Sequence, residues 1–176
     1  FGEMIRAETP VTRRRSISAE LIRAGIATGA RRREDTLRLA IWHLESGEPV
    51  DEVTLLAAAQ FANIASDHAL AERIARPVFE TNGDLHAGLE LGKAVSRQGR
   101  ADEAEGLYNQ LGTRVDTDQH RALLATQQAD NRFLRAADPI GATGILEEAR
   151  AEVTDPASLM MLDSQLTIML AFSPDP

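Results

Sequence analysis

The sequence predicts an all-helical protein built from consecutive helical hairpins. Apolar residues recur every three or four positions along almost the whole chain, as in Leu70, Ile74 and Val78, and this period is typical of a helix rather than a strand. Most of the 43% of hydrophobic residues are alanine, leucine and isoleucine, with few aromatic residues. This composition favours helices that pack closely through small side chains.

Helix ends are marked by residues that satisfy free backbone groups. An aspartate accepts hydrogen bonds from the first turn of a helix, and proline fits the first helical position. The starts are Asp51, Asp67, Asp84, Asp138-Pro139 and Asp155-Pro156, and the stops are Gly47-Glu48-Pro49, Asn82-Gly83 and Gly99. Helices are predicted near residues 17–29, 35–46, 52–65, 68–80, 85–98, 101–112, 118–136, 140–152 and 156–171. Pro77 lies inside one of them, which we expect to kink or end near Arg76.

Three segments of the sequence share one pattern, in which a small residue ends a helix, a short polar turn follows and an alanine opens the next packed face. The segments are Ser66-Asp67-His68-Ala69-Leu70-Ala71, Gly99-Arg100-Ala101-Asp102-Glu103-Ala104 and Ala137-Asp138-Pro139-Ile140-Gly141-Ala142. Their final alanines are 33 and then 38 residues apart. These spacings indicate an array of helical hairpins.

The array resembles tetratricopeptide repeats, which have small residues at two helix crossings and a glycine between their helices. The middle copy matches at Leu91-Gly92, Gly99, Ala104 and Tyr108; the first at Ala58-Ala59, Ser66, Ala71 and Ala75; the third at Ala129, Ala142, Leu146 and Ala149. No copy has the signature tryptophan or the closing proline of that family. The resemblance implies a right-handed α-solenoid.

A second resemblance lies in residues 2–7 (GEMIRA), 31–44 (RRREDTLRLAIWHL) and 71–75 (AERIA). These segments are similar to LuxR-family bacterial transcriptional regulators of the large ATPase (STAND) type. In that family a P-loop ATPase and a winged helix come first, a tetratricopeptide-like array follows, and a helix-turn-helix domain ends the chain. The resemblance implies that residues 1–30 are the tail of the winged helix with its connector, that residues 31–176 are the array, and that the array senses an effector or partner to control the ATPase. We expect the chain to be a fragment of a longer protein.

The composition narrows the classes of partner. A net charge of −8 and a pI near 5.0 argue against direct binding to nucleic acid, which requires a basic face. The absence of cysteine excludes disulfides, thiolate zinc sites and cysteine nucleophiles. No apolar run approaches the roughly 20 residues of a membrane span. We therefore expect a cytoplasmic protein without membrane contact.

No catalytic, cofactor or metal site is predicted. A phosphate-binding loop requires Gly-Lys followed by Ser or Thr, whereas Gly92-Lys93 is followed by Ala94 inside a predicted helix. The four histidines lie on different helices or turns without a partner at metal-ligand spacing. Acidic pairs such as Glu147-Glu148 are typical of a solvated helix face. The clusters Arg13-Arg14-Arg15 and Arg31-Arg32-Arg33 favour ion pairing with adjacent domains of the parent chain.

In a solenoid of helical hairpins the first helix of each pair lines the concave surface, where such arrays bind ligands or peptides. Helical spacing from the crossing residues puts a set of polar residues on this face, as contacts for a protein partner or a small effector: Gln60, Asn63, Lys93, Ser96, Arg97, Gln127 and Asn131. The alternative is that they are ordinary exposed polar residues.

The resulting hypothesis is a sensor and scaffold segment of a LuxR-type regulator that is not itself an enzyme. Two alternatives stay open. One is a stand-alone interaction solenoid that docks a helix or an extended peptide. The other is a helical piece of an enzyme whose remaining site residues lie elsewhere.

Overall fold

The computed structural model describes residues 10–27, 39, 41–43, 46 and 51–172, and every regular element in them is helical, as the sequence predicts. The predicted helix near residues 35–46 falls largely outside the described residues, as do much of the proposed connector and Arg31-Arg32-Arg33. The elements are α1 Val11–Ala27, α2 Glu52–Ile64, α3 His68–Asn82, α4 Leu85–Arg97, α5 Ala101–Leu111, a 3-10 turn Gly112–Arg114, α6 Asp118–Leu134, α7 Pro139–Glu152 and α8 Pro156–Phe172.

Helices α2 to α8 pack in chain order, each against the next one. In addition, α2 packs on α4, α4 on α6 and α6 on α8, so that alternate helices form a continuous row. Two hydrophobic cores result. The N-terminal core includes Ile74, Leu91, Val95, Tyr108 and Leu111, and the C-terminal core includes Ala125, Ala142, Leu146, Leu162 and Met169.

The three repeated segments form three related turns. Ser66, Gly99 and Ala137 all have positive φ, at 62°, 84° and 52°, the left-handed conformation that ends many helices. In the first two turns the next residue donates its N–H to a carbonyl five residues back, as Asp67 does to Ala62. The alanines that open the following helices are fully buried. The third turn is one residue longer, because Asp138 donates to Arg132, six residues back.

The predicted aspartate caps are confirmed. The carboxylates of Asp51, Asp67, Asp84, Asp138 and Asp155 each accept a hydrogen bond from the backbone N–H three residues later, at 2.8 to 3.1 Å. Since each bond satisfies a donor that the helix itself leaves free, these residues set where five helices begin.

One predicted helix start is wrong, and of the two possibilities at Pro77, a kink or a helix end, the end is not found. Helix α1 begins at Val11, just after Pro10, rather than near residue 17, because arginine is a good helix former and Arg13 and Arg15 extend the helix. Helix α3 does not end near Arg76 but continues through Pro77 to Asn82. Pro77 lies on the exposed face, where water can satisfy the carbonyl that the missing N–H leaves free.

Small residues allow the helices of a pair to approach closely. An added Cβ on Gly92 of α4 would lie 2.3 Å from Cε1 of Tyr108 on α5, and the tyrosine is only 1% exposed. At the preceding crossing Ala62, Ala71 and Ala94 form a small buried cluster of α2, α3 and α4. The crossings therefore require glycine or alanine for steric reasons.

We expect Gly92→Ala to lower the free energy of unfolding by about 1–3 kcal/mol, because the packed Tyr108 ring cannot move away. Gly106 is the matched control, since it lies in α5 and a Cβ added there would meet no atom within 4 Å. Gly106→Ala should raise stability by about 0.5–1 kcal/mol through helix propensity. Urea unfolding measures both; equal effects of the two variants would contradict the proposed crossing.

A network of charged and polar side chains ties α3 to the turn between α4 and α5. The carboxylate of Glu72, 18% exposed, accepts from Arg76 at 2.7 Å, from Gln98 at 2.8 Å and from Arg100. Burial pushes the pKa of Glu72 upward, but hydrogen bonds from these three side chains outweigh it and bring the pKa to about 2. Glu103 receives further bonds from both arginines.

Replacing Glu72 by Gln should cost about 2 kcal/mol of unfolding free energy at pH 7. The lowered pKa means that the wild-type contribution is complete above the ordinary value of 4.5 and is lost as the pH falls toward 2. The difference between variant and wild type should therefore shrink over that window. Glu80→Gln is the control, because Glu80 is 65% exposed and 4.0 Å from Arg76; its effect should stay within about 0.5 kcal/mol. A pH-independent difference would refute the assignment.

None of the helices within residues 10–27 and 51–172 is both long and apolar enough to cross a membrane.

Candidate functional site

A narrow cleft lies between the C-terminal halves of α4 and α6, above Tyr108 of α5. We call it the α4–α6 cleft, and its interior volume is only about 10 Å³, close to the space that a single water molecule needs. It forms where the two hydrophobic cores meet, since Leu124 of α6 belongs to the N-terminal core while Ala125 belongs to the C-terminal one. The lining residues are Lys93, Ser96, Arg97, Tyr108, Gln127, Asp130, Asn131, Leu134 and Arg135.

Five of the seven residues that the sequence suggested as contacts line this one cleft: Lys93, Ser96, Arg97, Gln127 and Asn131. Arg97 is exposed, Lys93 and Gln127 are half-buried, and Ser96 and Asn131 are buried. The structure thus brings together side chains from two helices that are some thirty positions apart in the sequence. Gln60 is exposed on α2 and does not line the cleft.

Asn63 has an internal role instead of facing a ligand. It is 4% exposed, and its Nδ2 donates to the backbone oxygen of Glu90 at 3.0 Å and to Oε2 of Glu90 at 2.8 Å. Its Oδ1 lies 3.1 Å from Nδ1 of His68. Because both polar atoms are occupied, Asn63 joins α2 to α4, and the expectation that it contacts a ligand is not supported by this geometry.

The mouth of the cleft is cationic. Lys93 and Arg97 lie on α4, one helical turn apart, and Arg135 follows the end of α6. Among the described residues, no carboxylate oxygen lies within the 4.0 Å ion-pair distance of any of these three side chains. Three cations that form no ion pair in the described part of the chain therefore lie together, although the net charge of the chain is −8.

The charges of the three cations shift the pKa values of neighbouring groups. Burial lowers the pKa of His68, and the positive charges of Arg97, Lys93 and Arg135 lower it further against the opposing effect of Asp67. Burial raises the pKa of Asp130, while Arg97 and Lys93 act in the opposite direction. Burial also raises the pKa of Tyr108, with Asp130 adding to the shift. The cations are thus close enough to the cleft to influence the titratable groups around it.

Two polar side chains of α6 line the interior of the cleft. Asn131, 2% exposed, donates its Nδ2 to the backbone oxygen of Ala101 at 3.0 Å, but its buried Oδ1 has no hydrogen-bond partner among the described residues. The carboxylate of Asp130 accepts from Nε2 of Gln165 on α8 at 2.5 Å. Because Oδ1 of Asn131 is buried, a ligand at the cleft meets the cations of the mouth rather than this acceptor.

Sequence reasoning missed Tyr108 as a lining residue, and also Asp130, Leu134 and Arg135. The repeat pattern assigns Tyr108 only to a helix crossing, although the same contact with Gly92 puts it beneath the cleft. The sequence contains one weak indication of Arg135. An arginine stands at the end of both helices, since Arg97 is the last residue of α4 and Arg135 follows the last residue of α6. The histidines are not all isolated, because the rings of His86 and His120 meet edge to face with centroids 5.4 Å apart.

A larger cavity of about 320 Å³ lies between α5, α6 and α7, but its arginines are already paired. Arg121 lies 2.8 Å from Glu152, and Arg132 lies 3.1 Å from Glu105. Within the part of the chain that the structure describes, no group of three or more potential ligands is placed to hold a metal ion. The cationic mouth of the α4–α6 cleft is thus the more distinctive feature.

Comparison with protein-family models, with curated proteins and with solved structures finds no match to this chain.

The pKa of His68 reports the electrostatic effect of the cations at the cleft. Because its pKa is lowered in the folded state, the unfolded chain binds the proton more readily, so stability is complete above pH 6.5 and falls as the pH drops below that value. We expect Arg97→Gln to move the pKa of His68 back toward its ordinary value in an NMR titration. Arg73→Gln removes the same charge from an exposed site on α3 and should leave it unchanged. An identical response to both substitutions would argue against local coupling.

Proposed function

We propose that the chain is a tetratricopeptide-like right-handed α-solenoid that acts by binding rather than by catalysis. The alternating pattern of contacts supports this proposal, since α2, α4, α6 and α8 form a row in which each helix also packs on its chain neighbour. The related turns at Ser66, Gly99 and Ala137 support it further. In such an array the row of first helices forms the concave surface.

The observation that carries the binding role is the convergence at the α4–α6 cleft. Polar residues chosen from helical spacing alone meet there, beside cations that have no ion pair within the described residues. Unpaired charges at a concave surface favour recognition of a complementary group. The ligand of this cleft is therefore a protein partner or a small effector.

We further propose that this binding module is the sensor and scaffold segment of a cytoplasmic LuxR-family regulator with an ATPase domain. The support is the resemblance in residues 2–7, 31–44 and 71–75. The cleft offers a physical route for such control, because it lies between two hydrophobic cores. A ligand that bridges α4 and α6 stabilises one relative arrangement of the cores and shifts the population of the parent protein toward it.

A thermal-shift screen of metabolites and short peptides tests the binding role with the purified chain. A ligand present at 100 times its Kd adds about 2.7 kcal/mol of stability, which raises the melting temperature by several degrees. Gln127→Trp fills the mouth of the cleft and should abolish that shift. Gln110→Trp, at an exposed site on α5, should retain it. Ligands that respond equally in both variants would show that the cleft is not the binding site.

The regulator assignment has an independent test in the gene itself. Sequencing on both sides of the segment that encodes residues 1–176 should reveal an upstream P-loop motif and a downstream helix-turn-helix. If neither is present, the chain is a stand-alone interaction solenoid, and the binding role of the cleft is unaffected.

A further inference from the structure

We propose that the α4–α6 cleft binds an acidic peptide segment of a partner protein, with at least two side-chain carboxylates on Lys93, Arg97 and Arg135 and an apolar side chain on Leu134. This inference rests on the proposed function, because it names the kind of partner that the same cleft accepts.

The charge of the mouth selects an anionic ligand. Lys93, Arg97 and Arg135 have no carboxylate oxygen at ion-pair distance within the described residues, and all three line one cleft. Of the residues that the structure describes, Asp130 is the only acidic one that lines the cleft, and its carboxylate is engaged by Gln165. A complementary ligand therefore brings more than one negative charge.

The shape of the site requires these charges to be spread along an extended ligand. Lys93 and Arg97 are one turn apart on α4, and Arg135 lies across the cleft at the end of α6. A single carboxylate binds one or two donors, so an arrangement on both sides of a cleft favours two or more carboxylates on one chain. The interior is narrow, so that the ligand lies across the mouth.

Leu134 adds an apolar contact to this surface. It lines the cleft and is 50% exposed, next to the cation of Arg135. Burying an exposed leucine against an apolar ligand side chain is favourable by about 25 cal/mol per Å² of apolar area removed from water. The combination of three cations and one exposed leucine fits acidic residues that alternate with an apolar one.

The spread of the cations and the exposed Leu134 favour a peptide over a simple anion. An inorganic phosphate offers one compact group of acceptor oxygens and no apolar contact, whereas a peptide brings separate carboxylates and an apolar side chain. Nucleic acid is disfavoured because its phosphates would face a chain of net charge −8 beyond this small patch.

Fluorescence anisotropy with the purified chain tests the inference. The probe is a labelled, C-terminally amidated peptide in which glutamate pairs alternate with single leucines, so that no terminal carboxylate takes part. The matched control peptide has glutamine in place of glutamate. We expect binding of the acidic peptide only, weakened about tenfold by the double variant Lys93→Gln/Arg97→Gln and also reduced by Arg135→Gln.

Arg73→Gln is the matched protein variant. It removes a charge from an exposed site on α3, so it should bind the acidic peptide as the wild type does. Circular dichroism of each variant verifies that helicity is retained. Binding should also raise the pKa of His68 in an NMR titration, because the carboxylates offset the cations that lower it.

Three outcomes would overturn the inference: equal binding of the neutral peptide, equal loss with Arg73→Gln, or a rise in the His68 pKa with inorganic pyrophosphate but no binding of the peptide. None of these outcomes affects the proposed function if a ligand from the thermal-shift screen raises the melting temperature of the wild type but not that of Gln127→Trp. Conversely, if that variant blocks no ligand while the acidic peptide binds to a different surface, the proposed function and the inference both fail.

Discussion

The left-handed turn between the two helices of a pair constrains the packing of the whole described array. Ser66, Gly99 and Ala137 adopt positive φ, and each turn brings a fully buried alanine of the next helix against the helix before it. Only a short turn that reverses the chain in this way allows such close contact, and only small residues tolerate it. The crossing of Gly92 over Tyr108 is the tightest example.

The two helices that form the cleft differ in length, and so do the turns that follow them. From Ala71 to Leu85 and from Ala104 to Asp118 the chain advances by equal numbers of residues, so the first parts of the two repeats match. Helix α6, however, has 17 residues where α4 has 13, and the turn after it is one residue longer. The longer helix α6 ends at Leu134, Arg135 follows it, and both residues line the cleft.

Most of the fold could be predicted from local signals, whereas the site could be predicted only in part. Aspartate caps and the glycines at residues 83 and 99 are read from neighbouring residues, so the positions of helices α2 to α8 agree closely with prediction. The helix does not end at Pro77, because the tolerance of this proline depends on an exposed face that only packing defines. The internal role of Asn63 escapes prediction for the same reason, since its partner Glu90 is 27 positions away. Long-range pairing of this kind leaves no local trace in one sequence.

The polar residues of the described helices include some with hydrogen-bond or ion-pair partners inside the protein and some cations that lack an ion pair. The first group stabilises the fold, and the second is available to a ligand. Glu72 with its arginines and Asn63 with Glu90 are satisfied internally, so their charges and dipoles hold helices together. Lys93 and Arg97 differ, because no carboxylate oxygen of the described residues lies within ion-pair distance of either side chain, although Asp130 lines the same cleft. A negatively charged ligand would supply the ion pairs that these cations lack. These cations, rather than the size of any cavity, are thus the strongest physical support for the proposed binding site.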